Sequence, residues 1–218
     1  MKLHVLPPSP RAFKVIALNN HLGLECEIEI VDLGHDAHLT PEFIALNPNR
    51  KMPVLEDDGF ALWESNAILF HMASKRPASG MWPAEPRRQA DVMRWLSWEA
   101  AHWDQQVVGQ IGNELVSKMV LRQGPPDPAR IADGKRQFER FAPVLNDALR
   151  DRKWLAGDAL TIADFAVGTW MPSIHRLELP IAKYTNILRW YDGLAALPAW
   201  QEATATATEF LKTMEVSK

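Results

Sequence analysis

The N-terminal part of the chain contains LHVLPPSPRAFKVIALNNHLGLECEIEIV (residues 3–31), in which two short runs rich in branched residues enclose a helical pattern. The predicted elements are two strands and one helix, at residues 3–6, 27–31 and 10–22. The helix ends carry the residue types that caps prefer, with Ser9 before the first turn, Pro10 at its first position and Gly23 at its stop. A strand, a helix and a strand in this order predict a right-handed parallel crossover.

The next residues continue this α/β pattern as far as residue 76. Asp57-Asp58-Gly59 lies between two short apolar runs and predicts a β-hairpin. Helical patterns precede and follow the hairpin, at residues 40–46 and 65–75. The sequence therefore predicts a small sheet with helices packed on it.

The chain changes character after Arg76-Pro77-Ala78-Ser79-Gly80, since no further strand is predicted. Five helices are expected instead, at residues 89–121, 128–150, 161–176, 185–195 and 198–212. We therefore predict an α/β domain at residues 1–76, a linker at 77–88 and an all-helical domain at 89–218.

Composition excludes several classes of protein. The chain has 218 residues and a formal net charge of −3, which gives no electrostatic footprint for nucleic acid. Cys26 is the single cysteine, so neither an internal disulfide nor a cysteine-rich zinc site is possible. No run of about 18 apolar residues predicts a membrane span, and the opening run MKLHVL is too short for a signal peptide. We expect a globular cytoplasmic protein that binds neither nucleic acid nor membrane.

Thr161-Ile162-Ala163-Asp164 has the pattern of a capping box, with Asp164 as the reciprocating acid. Leu160 and Phe165 are placed to form the accompanying hydrophobic staple. Loss of such a cap typically costs about 1 kcal/mol. We interpret this box as structural rather than catalytic.

A set of short motifs carries a family resemblance when taken together in order and spacing. The motifs are Ser9-Pro10-Arg11, Pro41-Glu42-Phe43, Asn47-Pro48, Lys51-Met52-Pro53-Val54-Leu55, Glu64-Ser65-Asn66-Ala67-Ile68 and Thr161-Ile162-Ala163-Asp164. With them the chain resembles the cytosolic glutathione transferases, especially the bacterial and theta/delta-like members that use serine. The resemblance covers nearly the whole length. It implies a thioredoxin-like N-terminal domain followed by an all-α domain, which is the division predicted above.

Ser9 is the catalytic candidate that this resemblance implies. The expected reaction needs the glutathione thiol as thiolate, and a free thiol has a pKa of about 8.5. A hydroxyl that donates to the sulfur, and a helix N-terminus beside it, both favour the anion. The chain has only two tyrosines, Tyr184 and Tyr191, so a tyrosine in the first turn is excluded. The alternative is that Ser9 is a plain N-cap.

The resemblance also implies the residues that bind glutathione, which acts as co-substrate: His38, Lys51, Met52, Pro53, Glu64 and Ser65. The Met52–Pro53 bond is expected to be cis, so that the Met52 backbone can bond the cysteinyl part as an added strand would. Glu64 would accept from the γ-glutamyl ammonium, and Ser65, as an N-cap, would bind the α-carboxylate. His38 and Lys51 would meet the glycyl carboxylate. Arg50 departs from the family pattern, in which glycine is frequent at this position.

His102 and Trp103 are the expected lining of a pocket for a hydrophobic electrophile. Aromatic residues at helical spacing are more often core than pocket, and that reading stays open. His102 and Glu99 do not have the spacing of a metal-binding helix, so no metal is expected.

Three activities other than conjugation remain open with the same co-substrate: peroxidase, isomerase and dehalogenase. A non-catalytic binding module of the same fold is the alternative from a different class. A two-fold homodimer is expected by resemblance, with one subunit's α/β unit against the partner's helical half.

Overall fold

The computed structural model describes residues 1–118 and 123–216, with side chains as far as Thr213. The described chain forms two compact units. The first contains residues 1–82 and 195–216, and the second contains residues 83–118 and 123–194. The last helix therefore joins the first unit, whereas the sequence had assigned it to a helical domain at 89–218.

The first unit contains a four-stranded sheet in the order β2-β1-β3-β4. Its strands are β1 (Lys2–Val5), β2 (Glu27–Ile30), β3 (Val54–Asp57) and β4 (Phe60–Trp63). Strands β1 and β2 are parallel, and the other neighbours are antiparallel. The predicted parallel pairing of β1 with β2 and the predicted hairpin are both confirmed. The hairpin turn consists of Asp58 and Gly59, whose φ angles of 49° and 82° suit a type I′ turn.

Three helices cover the sheet: α1 (Pro10–Leu22), α2 (Pro41–Leu46) and α3 (Ser65–Ser74). Helix α1 ends at Gly23, whose φ of 57° is left-handed as a C-terminal glycine cap requires. Helices α1 and α3 pack together. Helix α2 packs through Phe43 on Val31 and Val54, on the side of the sheet that carries His4. This layered arrangement is the thioredoxin-like architecture expected from the sequence.

Within its described residues, the second unit contains helices and no strand. It contains α4 (Pro86–Trp98), α5 (Gly109–Gly112), α6 (Pro128–Ala148), α7 (Ile162–Gly168) and all but the last residue of α8 (Thr185–Ala195). Helix α9 (Pro198–Val216) belongs to the first unit, where Trp200 contacts Phe13 of α1 edge to face with ring centroids 4.9 Å apart. None of the helices within residues 1–118 and 123–216 is long and apolar enough to cross a bilayer.

The long helix of the second unit differs from its prediction in two ways. It begins at Pro86 rather than residue 89, because the Glu85 carboxylate accepts from the amides of Arg87 and Arg88. Beyond Trp98 it is π-helical at Glu99–Val108 and again at Asn113–Ser117. Residues 119–121 of the predicted helix lie outside the described residues.

Two glycines and one indole accompany the π-helical stretches. A Cβ at Gly109 would lie 2.5 Å from the Asp104 carbonyl oxygen, and one at Gly112 would lie 2.1 Å from the Trp170 ring. Trp170 Nε1 donates to the buried Asp104 carboxylate over 2.8 Å. Only glycine allows this close approach of the helix to the tryptophan.

The predicted helix at 161–176 is wrong in its second half. Helix α7 ends at Gly168, and a 3₁₀ helix follows at Met171–Leu177. Pro172 lies at the start of that 3₁₀ helix, where it has no N–H to continue the α-helical pattern.

The predicted capping box is confirmed, and its acid does more than cap. One carboxylate oxygen of Asp164 accepts from the Leu155 amide and from Trp190 Nε1, each over 2.9 Å. The other accepts from the Thr161 amide over 2.9 Å. Burial raises the pKa of Asp164 from 3.8 to about 6, although these hydrogen bonds favour the carboxylate. The native state therefore binds this proton more tightly than the unfolded state, and the stability from this group falls as the pH rises from 3.8 to about 6.

Replacement of Asp164 by Asn should destabilise the protein by about 3 kcal/mol. Whichever way the amide turns, its NH₂ group faces buried donors, because both carboxylate oxygens accept hydrogen bonds. Urea unfolding at pH 7 measures the change. Asp192→Asn, at an exposed position of α8, is the matched control and should change stability by less than about 0.5 kcal/mol. Equal stabilities of the two variants would contradict the prediction.

Candidate active site

Strand register brings three predicted site segments to one edge of the sheet. His4 pairs with Val54, and Val54 pairs with Trp63, so β1 ends, β3 begins and β4 ends along the same edge. A predicted site segment adjoins each of these strand ends: Ser9 follows β1, Met52–Pro53 precedes β3, and Glu64–Ser65 follows β4. The tertiary structure thus assembles residues that are separated by more than 50 positions in sequence.

Ser9 occupies the N-cap position of α1, but its hydroxyl makes no capping hydrogen bond. Its backbone is fixed on both sides: the amide donates to Leu6 O and the carbonyl accepts from the Phe13 amide, each over 2.8 Å. The plain N-cap reading is therefore wrong for the side chain. A half-buried hydroxyl at the positive end of a helix, not used to cap it, is suited to donate to a bound anion.

The Met52–Pro53 peptide bond is cis, as expected. Pairing between β1 and β3 stops at Val54, so Met52 lies beyond the last ladder pair. Asn47 holds the chain just before it, because this buried side chain donates through Nδ2 to the Lys51 carbonyl over 2.6 Å. The sequence presented Asn47 only as part of a motif, whereas the structure shows that it anchors the loop.

Arg50 adopts a left-handed backbone with a φ of 56°. This explains why glycine suits the position, since glycine reaches positive φ without steric cost. The Arg50 amide donates to the Asn47 carbonyl over 2.9 Å, which helps to hold the turn. Arg50 and Lys51 are both exposed, so two cations lie beside Met52 in sequence.

Glu64 and Ser65 form the junction between β4 and α3, with one correction to the prediction. Glu64, not Ser65, is the N-cap residue, and Ser65 is the buried first residue of the helix. Glu64 has φ 70° and ψ 110°, which is an unusual conformation for a residue with a Cβ. Such strain costs about 1–3 kcal/mol and is concentrated at functional sites.

His38 lies in a 3₁₀ turn at Ala37–Leu39 and is half-buried. Ala37 and Met52 both pack against the cluster formed by Val31, Phe43 and Val54. The turn that carries His38 therefore lies on the same side of the sheet as Met52. Within the described chain, His38 Nδ1 is buried without a hydrogen-bond partner.

The two residues predicted for the electrophile pocket both belong to the second unit and differ in exposure. His102 is half-buried, stacks on Phe141 with ring centroids 5.0 Å apart, and accepts at Nδ1 from Gln106 over 3.2 Å. Trp103 is only 1% exposed and stacks on Trp98, so it belongs to the core of the unit. In residues 1–118 and 123–216 no group of three or more His, Cys, Asp or Glu side chains could hold a metal ion.

Comparison with known proteins gives the family. Residues 1–74 match the model for the glutathione S-transferase N-terminal domain, and residues 119–198 match the model for the glutathione S-transferase C-terminal domain. Glutathione S-transferase 3 of Zea mays is 33% identical over 214 residues, which are 94% of this chain and 93% of the maize protein.

Solved structures agree with this match. Glutathione transferase E6 from Drosophila melanogaster is 28% identical with a TM-score of 0.82, covering 98% of this chain and 96% of the fly protein. A glutathione transferase from Burkholderia graminis, crystallised with two glutathione molecules per subunit, is 29% identical with a TM-score of 0.77. That likeness covers 93% of this chain and 86% of the other. The two-domain α/β and helical architecture is shared, and the chain belongs to the glutathione S-transferase family.

The backbone strain at Glu64 predicts a difference between two substitutions that both remove its carboxylate. Glu64→Gly should be more stable than Glu64→Ala by about 1 kcal/mol, because glycine adopts the φ of 70° without a Cβ clash whereas alanine does not. Thermal unfolding of the two variants measures the difference. Equal melting temperatures would show that the position is not strained.

Proposed function

We propose that the protein conjugates glutathione to a hydrophobic electrophile and is a serine-type member of the family, of the bacterial or theta/delta-like group. The observation that carries this proposal is that the Ser9 hydroxyl lies at the N-terminus of α1 and makes no capping hydrogen bond to it. Its role would be to donate a hydrogen bond to the sulfur of glutathione and keep it ionised.

The energetic requirement for that role is modest. Lowering a thiol pKa by two units from about 8.5 requires about 2.7 kcal/mol. A hydrogen bond to a charged group contributes about 1.5–3 kcal/mol. The dipole of α1 adds to this, because a helix N-terminus attracts an anion. Cys26 is buried after α1, and its raised thiol pKa, caused mainly by burial, makes it a poor nucleophile.

The rest of the tripeptide would bind along the same edge of the sheet. The backbone of Met52, beyond the β1–β3 ladder, would pair with the cysteinyl residue, with Pro53 buried behind it. Glu64 would accept from the γ-glutamyl ammonium, and the amides at Ser65 would bind the α-carboxylate. His38 and the exposed Lys51 would meet the glycyl carboxylate.

The domain division and the second substrate remain part of the proposal. Residues 1–76 would bind glutathione, residues 77–88 would link, and residues 89–218 would form the helical domain that supplies the electrophile site, with its last helix packed on α1 of the first unit. Of the two residues predicted there, the half-buried His102 is the better candidate, since Trp103 is buried. The proposed location is cytoplasmic.

A homodimer is supported by exposed aromatic side chains on the first unit. Phe60 of β4 is 51% exposed and contacts His71 of α3, and the neighbouring Phe70 is 43% exposed. Clusters of large exposed apolar side chains commonly mark an interaction surface. A second copy of this chain is the proposed partner, bound through its helical half.

Ser9→Ala should lower turnover with a chlorinated nitroarene by about 10- to 100-fold, because the sulfur loses a charge-assisted hydrogen bond. The KM for glutathione should stay within about 2-fold, since the other contacts remain. Thiolate absorbance against pH should show a higher thiol pKa in the variant complex than in the wild-type complex. Ser74→Ala is the control, because it removes an exposed serine hydroxyl at the C-terminal end of α3. An unchanged rate would remove Ser9 from the catalytic role, and failure of the wild-type protein to bind immobilised glutathione would favour a non-catalytic module.

Phe60→Glu should dissociate the proposed dimer, because a charge placed in an apolar interface is costly to desolvate. Light scattering should give twice the 24.6 kDa of one chain for the wild type and the mass of a single chain for the variant. Ile28→Glu, on an exposed apolar side chain of β2 at the opposite edge of the sheet from β4, tests whether any added charge has the same effect. A wild-type mass of one chain would overturn the dimer.

A further inference from the structure

Lys14 is a lysine in the interior of the first unit. Its side chain is 1% exposed, within a run of α1 that is buried from Ala12 to Asn19. Lysine is almost never fully buried unless its ammonium is paired, because desolvation of the charge is costly. A buried lysine five residues after Ser9 therefore needs partners in the interior of the protein, and Asn66 is one of them.

The Lys14 ammonium donates to Asn66 Oδ1 over 2.7 Å. Asn66 is the second residue of α3 and directly follows Glu64 and Ser65. This bond therefore joins the helix that carries Ser9 to the first turn of the helix that carries the proposed γ-glutamyl contacts. An ammonium can only donate, so the Asn66 amide must turn its oxygen towards α1, which fixes the orientation of that turn.

Two further features indicate that this bond serves the site rather than α3 itself. A cation near a helix N-terminus opposes the helix dipole, so α3 gains nothing from the charge, whereas an anion bound at that turn does. The backbone of Glu64, with its φ of 70°, persists only where the surrounding structure holds it. The bond to Asn66 lies two residues away and supplies such a restraint.

We propose that Lys14 is a positioning residue of the glutathione site, which acts through Asn66 to hold the Glu64–Ser65 turn in register with Ser9. This inference rests on the function proposed above. Lys14 touches neither the thiol nor the electrophile in this role. Its loss should weaken glutathione binding and leave the chemical step intact.

The test is a double-mutant cycle of Lys14→Met, Asn66→Ala and the double variant. Each single variant should raise the dissociation constant for glutathione, measured by calorimetry, by about 10-fold or more. Turnover at saturating glutathione should stay within about 3-fold, and the thiol pKa in the complex should not move, since Ser9 is intact. The double variant should bind no worse than the weaker single variant, because either substitution alone already removes the Lys14–Asn66 bond on which the proposed positioning depends.

Lys75→Met is the matched control, since Lys75 lies at the C-terminal end of α3 and pairs with Asp57 instead. It removes the same charge and should leave glutathione affinity unchanged. Asn66 is half-buried in a first helical turn, so Asn66→Ala keeps the test decisive if Lys14→Met does not fold.

Four results would overturn the proposal. Wild-type affinity in a folded Asn66→Ala variant would show that the bond does not position the site. Additive losses in the double variant would show that Lys14 does not act through Asn66, and a fall in turnover equal to the loss of affinity would indicate a general structural role. Absence of glutathione binding by the wild-type protein would instead refute the proposed function, and this inference with it.

Discussion

The pairing of β3 between β1 and β4 is the constraint on which the first unit depends. The register places His4, Val54 and Trp63 in one row across the sheet. Val54 and Leu55 are both buried, on opposite faces of β3. A slip by one residue would move each of them to the other face and out of its packing, so the core itself fixes the register. Because this row is the last one before the chain leaves the sheet, the segments that begin or end there meet at one edge.

Those segments are held in conformations that cost free energy. Glu64 and Arg50 both have positive φ although neither is glycine. Two buried side chains, Asn47 and Lys14, bond to the loop or helix turn beside them. Part of the polar interior of this unit therefore lies beside the proposed glutathione site, where it restrains the backbone.

The second unit uses buried acids in a different way. Asp164 satisfies backbone and indole donors from three parts of the chain, and Asp104 accepts from Trp170 against the π-helical stretch. Buried carboxylates surrounded by donors stabilise one packing arrangement and are costly to leave half-satisfied. These contacts organise the helices rather than perform chemistry.

Much of the fold could be predicted from local signals. The strands, the Asp58–Gly59 turn, helix α1 between Ser9 and Gly23, and the capping box of α7 all follow from patterns within a few residues of each other. The predictions for the long helix of the second unit and for residues 161–176 were partly wrong, and both errors have local causes that the hydrophobic pattern does not show. A π-helical stretch keeps apolar residues inside much as an α-helix does, and the only local signal for the break after Gly168 is Pro172, which has no N–H to continue the helix.

The sequence by itself determined the residue types, their order and hence the family, because caps, turns and motifs are written in adjacent positions. Only the tertiary structure decided which of those residues meet and how each is used. In the tertiary structure the Ser9 hydroxyl does not cap α1, and Glu64 rather than Ser65 is the N-cap of α3. Trp103 is buried, and Lys14 donates a hydrogen bond to Asn66. The physical reason is that burial and hydrogen bonding between distant segments depend on strand register and helix packing, which no local pattern encodes.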